Sequence, residues 1–172
     1  MKNPPTLIIG DGAHGKDTAA ELLQTMGWTF QSSSWHCAEV AVLPYMQARG
    51  LKYSSVQECY ADRRNHRDLW KDAIAEYNTP KDRIVTEILS HADIYVGLRK
   101  RDEFEAAKHH FEHILWIDRS QHLPPEQEND LTKEDAEIVI DNNGTMQFLR
   151  LQLILFHKDA QRLQRHQRGW YI

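Results

Sequence analysis

The sequence is poor in cysteine, and the two it has, Cys37 and Cys59, stand far apart without metal-ligand spacing. That excludes a disulfide scaffold and reads as reduced thiols in a cytoplasmic protein. Long hydrophobic runs are also missing: none approaches the roughly 20 apolar residues that span a bilayer. The opening stretch MKNPPTLIIG is cut short by Gly10 and Asp11 and lacks the apolar core of a signal peptide. The expected location is therefore the cytoplasm, with no membrane partner. Nor does one sign of charge dominate. With 21 basic and 25 acidic residues and a net charge of −4, there is no general basic surface for polymeric nucleic acid, whose binding rests on displaced counterions. A small anion held by a few local arginines stays open. The ten histidines are not read as a metal set, and His109 and His110 are adjacent rather than on one face. Repeats, low-complexity tracts and linkers are absent, and 172 residues suffice for a single domain with a real core.

What is present alternates. Residues 6–9 form a short apolar run between Pro5 and Gly10, as a strand buried on both faces does. A helix is expected from Lys16 to Met26, closed by Gly27, then a short strand at Trp28–Phe30 and a loop at Ser32–Ser34. A helix over Trp35–Arg49 is interrupted or bent by Pro44. The spacing predicts one helix over Ala61–Tyr77 and another that starts near Pro80 and runs to Ser90. Strands are expected at Asp93–Gly97, His113–Asp118 and Ala136–Asp141, with a helix at Arg101–Phe111 and a polar loop at Gln121–Asp130. A long helix runs from Met146 to about Gln167. Strand and helix in alternation require a parallel sheet covered on both faces, a three-layer αβα fold. The last helix carries Leu149, Leu151, Leu153, Leu155 and Phe156, more apolar surface than one face needs, which leaves a homodimer open.

The strongest pattern is Gly10-Asp11-Gly12-Ala13-His14-Gly15-Lys16-Asp17-Thr18, which places G-x-x-x-x-G-K between a strand and a helix. Glycines let the backbone wrap a phosphate closely, the helix adds its positive end, and Lys16 reaches the β- and γ-phosphates. Asp11 to Thr18 are thus the candidate ATP (or dATP) contacts. Asp17 stands where Ser or Thr usually touches Mg²⁺, so its carboxylate is the candidate Mg²⁺ ligand. The plain alternative is a glycine-rich turn that happens to hold a lysine.

With this loop, two further stretches resemble bacteriophage deoxynucleoside monophosphate kinases of the adenylate-kinase-like P-loop group. They are Tyr95-Val-Gly-Leu-Arg99-Lys-Arg101-Asp-Glu-Phe-Glu-Ala and Ala136-Glu-Ile-Val-Ile-Asp-Asn-Asn-Gly-Thr145. The likeness covers residues 6–150, loosely in the middle third. It implies a nucleoside-monophosphate-kinase-like P-loop fold, with about 31–91 as an acceptor-binding helical region and about 119–132 as a lid loop. It also implies Mg²⁺-dependent transfer of the ATP γ-phosphoryl group to a nucleotide, feeding viral DNA synthesis. The sequence departs from the family at Gly97, where an aspartate is common; Asp17 or Asp93 would have to take over any role in holding Mg²⁺.

Phosphoryl transfer needs two phosphate-bearing substrates in line and positive charge around the moving group. Arg63 and Arg67, four apart, would share a helix face and grip an acceptor phosphate, or lie solvated against Asp62 and Asp68; Trp70 suggests a partly buried setting for Arg67. Arg99, at a strand end, would contact phosphate or pair with Glu103 or Glu105. Arg119 opens the lid loop and would close over the reaction, or be an ordinary loop residue. Ser33, Ser34 and Trp35 suit a base or sugar, although the serines also suit a helix cap. Trp70 offers stacking surface or core packing, as do Tyr53 and Tyr60. Asn142 and Asn143 suit an adenine edge or a simple turn. Two other readings remain: a kinase of another phosphorylated metabolite such as dephospho-coenzyme A, and a nucleotide-binding regulator without turnover.

Overall fold

The structure, a computed structural model, describes residues 2–167. Among them are five strands, β1 (Thr6–Ile9), β2 (Phe30–Ser32), β3 (Ile94–Val96), β4 (His113–Asp118) and β5 (Ile138–Asp141). All pairings are parallel, in the order β2-β3-β1-β4-β5. The helices are α1 (Lys16–Gln24), α2 (Ser33–Cys37), α3 (Leu43–Ala48), α4 (Val56–Ala61), α5 (Arg67–Tyr77), α6 (Arg83–His91), α7 (Arg101–Ala107) and α8 (Met146–Gln167).

Every residue of β1 is buried, and its side chains alternate between two cores, as the two-residue period of a strand demands. Leu7 and Ile9 join Tyr95, Ile114 and Trp116 beneath Ile84, Val85 and Ile88 of α6 and Phe104 of α7. Ile8 joins Ile94, Val96, Leu115, Ile117 and Ile140 beneath Ala19 and Leu23 of α1 and Leu149, Leu153 and Phe156 of α8. The sheet is thus the middle layer of a three-layer αβα fold, as the alternating sequence requires. A third cluster, Ala38, Val42, Met46, Cys59, Trp70 and Ala73, holds the helices between β2 and β3 together. No helix among the described residues is long and apolar enough to cross a membrane.

The structure corrects several boundaries. Trp28 does not begin a strand: it lies fully inside the core against Phe156, and its Nε1 donates to His157 Nδ1 at 3.0 Å. Between α2 and α3 the backbone widens into a π-helical turn, Ala38–Val42, which spares Pro44, near the start of α3, an interior position its missing N–H would break. The helix expected over Ala61–Tyr77 is broken. Asp62–Arg64 is a 3₁₀ turn and α5 starts only at Arg67, so Arg63 and Arg67 do not share a helical face. The cause is Asp62, whose carboxylate accepts from Tyr53 Oη at 2.8 Å and Asn65 Nδ2 at 2.6 Å and faces His66 Nε2 at 3.2 Å. Side-chain competition of this kind ends helices. Pro80 likewise precedes the next helix rather than opening it.

Along α8 the buried positions are Leu149, Leu153, Phe156 and Ala160, whereas Leu151 and Leu155 are more than half exposed. Leu153→Ala is expected to cost about 2–5 kcal/mol of stability. Leu151→Ala should stay within about 0.5 kcal/mol of the parent. Urea unfolding of the two variants measures the difference.

Candidate phosphate-binding site

Gly10 follows β1 directly, so the loop leaves the carboxyl end of the central strand, where ligands of open α/β sheets collect. Two backbone features fix its path. Gly15 takes φ +94°, and a Cβ there would collide with Asn142 Nδ2, which itself donates to the His14 carbonyl at 2.9 Å. Ala13 is the one positive-φ residue besides glycine among the described residues, at φ 61°. His14 is buried at 1% exposure. Its Nδ1 accepts from the Arg119 amide at 3.1 Å, which ties the loop to the end of β4, and its Nε2 has no partner. Lys16 opens α1, whose first amides face the loop, and its Nζ folds back to the carbonyls of Gly10 at 2.8 Å and Asp11 at 2.5 Å. Burial, then the positive charge of Arg99, brings its pKa down to about 8, against the opposing pull of Glu126, Asp17 and Asp11.

Arg99 does reach the loop, but its partner is Glu126, at 2.6 Å, rather than Glu103 or Glu105. The other oxygen of Glu126 is buried without a hydrogen bond and lies 3.0 Å from where a Cβ on Gly12 would stand. Lys16, Arg99 and the Glu126 carboxylate therefore share the mouth of the loop. Asn129 Nδ2 donates to Asp11 Oδ1 at 3.0 Å, drawing residues 119–132 down over it. Arg67 meets the same segment through Glu128 at 2.7 Å, and Lys71 meets Glu128 at 3.3 Å. The Arg67 side chain is 60% exposed, not partly buried as Trp70 suggested. Arg119 is exposed and brings only its backbone to the loop.

The expected acceptor residues divide. Ser34 Oγ lies 3.2 Å from Tyr60 Oη, the Trp35 and Tyr60 rings are 5.2 Å apart, and Arg63 stacks over Tyr60 at 4.1 Å. These four make one aromatic, hydroxylated, cationic wall. Trp70 is not part of its surface; it is 7% exposed and belongs to the helical core. Ser33 turns inward, and its Oγ donates to the Gly97 carbonyl at 3.3 Å. No serine side chain caps α2. A surface hollow of about 640 Å³ lined by Lys52, Tyr53, Glu58, Asp62 and His66 shares no residue with either group.

Gly97 explains its own identity. With φ +103°, any side chain there is strained, and its Cβ would approach Ser33 Oγ to 3.1 Å, so an aspartate would have to displace the Ser33 hydroxyl. Asp93 cannot replace it either, because it precedes β3 at the opposite end of the sheet. Its Oδ2 accepts from Asn3 Nδ2, Thr29 N and Thr29 Oγ1, each at 3.0 Å, a purely structural set. Of the two candidates, Asp17, exposed in the first turn of α1 beside Thr18, is the one at the loop. Asn142 and Asn143 are turn residues: Asn143 Nδ2 donates to Asp141 Oδ1 at 2.8 Å, and its Oδ1 accepts from Gln121 N at 2.9 Å. Sequence reasoning missed Glu126, Glu128 and Asn129. The signal available was the alternation of acids at 126, 128 and 130 in a loop read only as polar.

No protein-family model matches the sequence, and no curated protein matches it. Among solved structures, TT1252 from Thermus thermophilus is similar over 91% of this chain and 98% of its own, at 17% identity and a TM-score of 0.56. Looser likenesses include the dephospho-CoA kinase of Campylobacter jejuni, at 15% identity over 90% of this chain and 96% of its own with a TM-score of 0.48. Another is the shikimate kinase of Aquifex aeolicus, at 12% identity over 92% and 98% with a TM-score of 0.46. The likeness to TT1252 speaks to the fold alone, a three-layer αβα arrangement.

Proposed function

We propose that the chain is an ATP-dependent kinase and that its acceptor is a nucleoside or deoxynucleoside monophosphate. The observation that carries this reading is the placing of two cations at the mouth of the P-loop: Lys16, folded onto the Gly10 and Asp11 carbonyls, and Arg99, paired there with the Glu126 carboxylate. Two cations near one another, beside a helix N-terminus and in a part-buried setting, are what charge stabilisation of a moving phosphoryl group needs. Lys16 and the α1 amides hold the triphosphate. Arg99 spans from the donor toward the acceptor. Ser34, Trp35, Tyr60 and Arg63 offer stacking, hydroxyl and cationic contacts of the kind a nucleotide uses, and this wall favours a monophosphate over a simple metabolite. The acceptor phosphate is already a competent nucleophile, so no side chain is asked to remove a proton.

Mg²⁺ fits the oxygen donors present, with Asp17 and Thr18 as the residues to hold it. When bound, it neutralises charge on the phosphate oxygens.

A coupled assay with every common nucleoside and deoxynucleoside monophosphate, and with dephospho-coenzyme A, tests the acceptor. Turnover is expected with at least one monophosphate and should fall about 10²–10³-fold in Lys16→Ala. Turnover with dephospho-coenzyme A alone would move the acceptor to another class. No turnover with ATP bound would make the chain a regulator.

The depressed pKa of Lys16 gives a second expectation. The lysine must be cationic to hold phosphate, and it loses that charge as pH rises through about 8. Triphosphate affinity is expected to be flat below that pH and to fall by up to about tenfold per pH unit above it. Titration calorimetry from pH 6.5 to 9.5 would reveal the bend, and an affinity constant across that range would contradict it.

A further inference from the structure

Tertiary packing assembles, away from the loop, a donor set that chain order hides. Asp82, just ahead of α6, and His109 and His110, in the 3₁₀ turn after α7, each offer one ligand atom, all within 4.8 Å of one another. Asp82 Oδ2 and His110 Nε2 are 2.9 Å apart, and the two imidazole rings are 4.0 Å apart at 38°. The neighbouring cations do not compete for the carboxylate, since Lys81 is held by Asp102 and Lys108 by Glu105. Two imidazoles and one carboxylate are the ligands a borderline divalent ion takes, with water completing the shell, and not those of Mg²⁺.

We propose that Asp82, His109 and His110 bind a divalent transition ion of the Zn²⁺ type, clamping the start of α6 to the turn that leads into β4. A lone His110–Asp82 hydrogen bond would explain two of the three positions but gives His109 no part. His109 is exposed, and its ring meets that of His110, so its removal spares the fold.

Tag-free full-length protein is titrated with Zn²⁺ by calorimetry and melted with and without the ion. One equivalent is expected to bind, at least about tenfold more weakly in His109→Ala and in His110→Ala. Zn²⁺ should raise the thermal midpoint of the parent and not of His109→Ala. Equal binding by parent and His109→Ala, or no binding by the parent, overturns the site.

A separate observation concerns the mouth of the loop and rests on the triphosphate reading above. The geometry points to a self-lock in which the Glu126 carboxylate occupies the seat of a phosphate. One of its oxygens takes the Arg99 guanidinium at 2.6 Å, as a phosphate oxygen would. The other is buried over Gly12 with nothing to bond, an imperfect seat from which a better acceptor displaces it. The rest of the segment is fastened by Asn129 to Asp11, Glu128 to Arg67 and Asp130 to Lys100. A triphosphate enters once Glu126 leaves.

Binding of a non-hydrolysable ATP analogue at pH 7 is compared in the parent, Glu126→Gln and Lys16→Ala. Glu126→Gln removes the competing charge at constant shape and is expected to bind about tenfold tighter, whereas Lys16→Ala binds much more weakly. If parent and Glu126→Gln bind alike while Lys16→Ala fails, the lock is wrong and the triphosphate site stands. If none of the three binds, both readings fall.

Discussion

The arrangement of the site depends on β1 being paired on both edges and covered on both faces. Its four residues bond to β3 and β4 and send side chains into both cores, so its carboxyl end is the least movable point of the sheet. A backbone loop that must wrap a phosphate needs such an anchor, since misplacement by an ångström weakens every contact at once. Arg99 and Arg119 gain from the same anchor. Each follows a strand adjacent to β1, and this brings the Arg99 side chain and the Arg119 amide to the loop across a long stretch of sequence.

Around that anchor the electrostatics are crowded rather than open. Arg99, Arg67 and Lys100 each face an acid of residues 126–130. Exposed pairs of this kind contribute little to stability, so their interest lies in position. Together they hold an acidic segment over the proposed phosphate site. Lys16 is in turn balanced between burial and Arg99 on one side and three carboxylates on the other. Small rearrangements of the segment therefore change the charge state of the lysine as well as access to it.

The unit β1–loop–α1 was legible because its signals are local: a buried apolar run, glycines and a lysine at fixed offsets, then helical periodicity. The strands β4 and β5 and the extent of α8 were legible for the same reason. The break between α4 and α5 was not, because it depends on Asp62 gathering Tyr53, Asn65 and His66, contacts that periodicity cannot see. Arg63 and Arg67 were consequently placed on one helical face that does not exist. The seating of Glu126 was invisible for another reason. It lies in a segment with no period, and its partner, Arg99, is distant in sequence. Asp82 and the two histidines are likewise far apart in sequence and meet only in the folded chain.

Gly97 links two parts of the molecule that are usually thought of separately. Its carbonyl receives Ser33, the first residue of the short helix that also carries Ser34 and Trp35. A side chain at the end of β3 would thus press on the Ser33 hydroxyl, next in sequence to Ser34 and Trp35. The strand end and the neighbouring helix are coupled through one contact: a side chain at position 97 would displace the Ser33 hydroxyl, and changing Ser33 would free the Gly97 carbonyl.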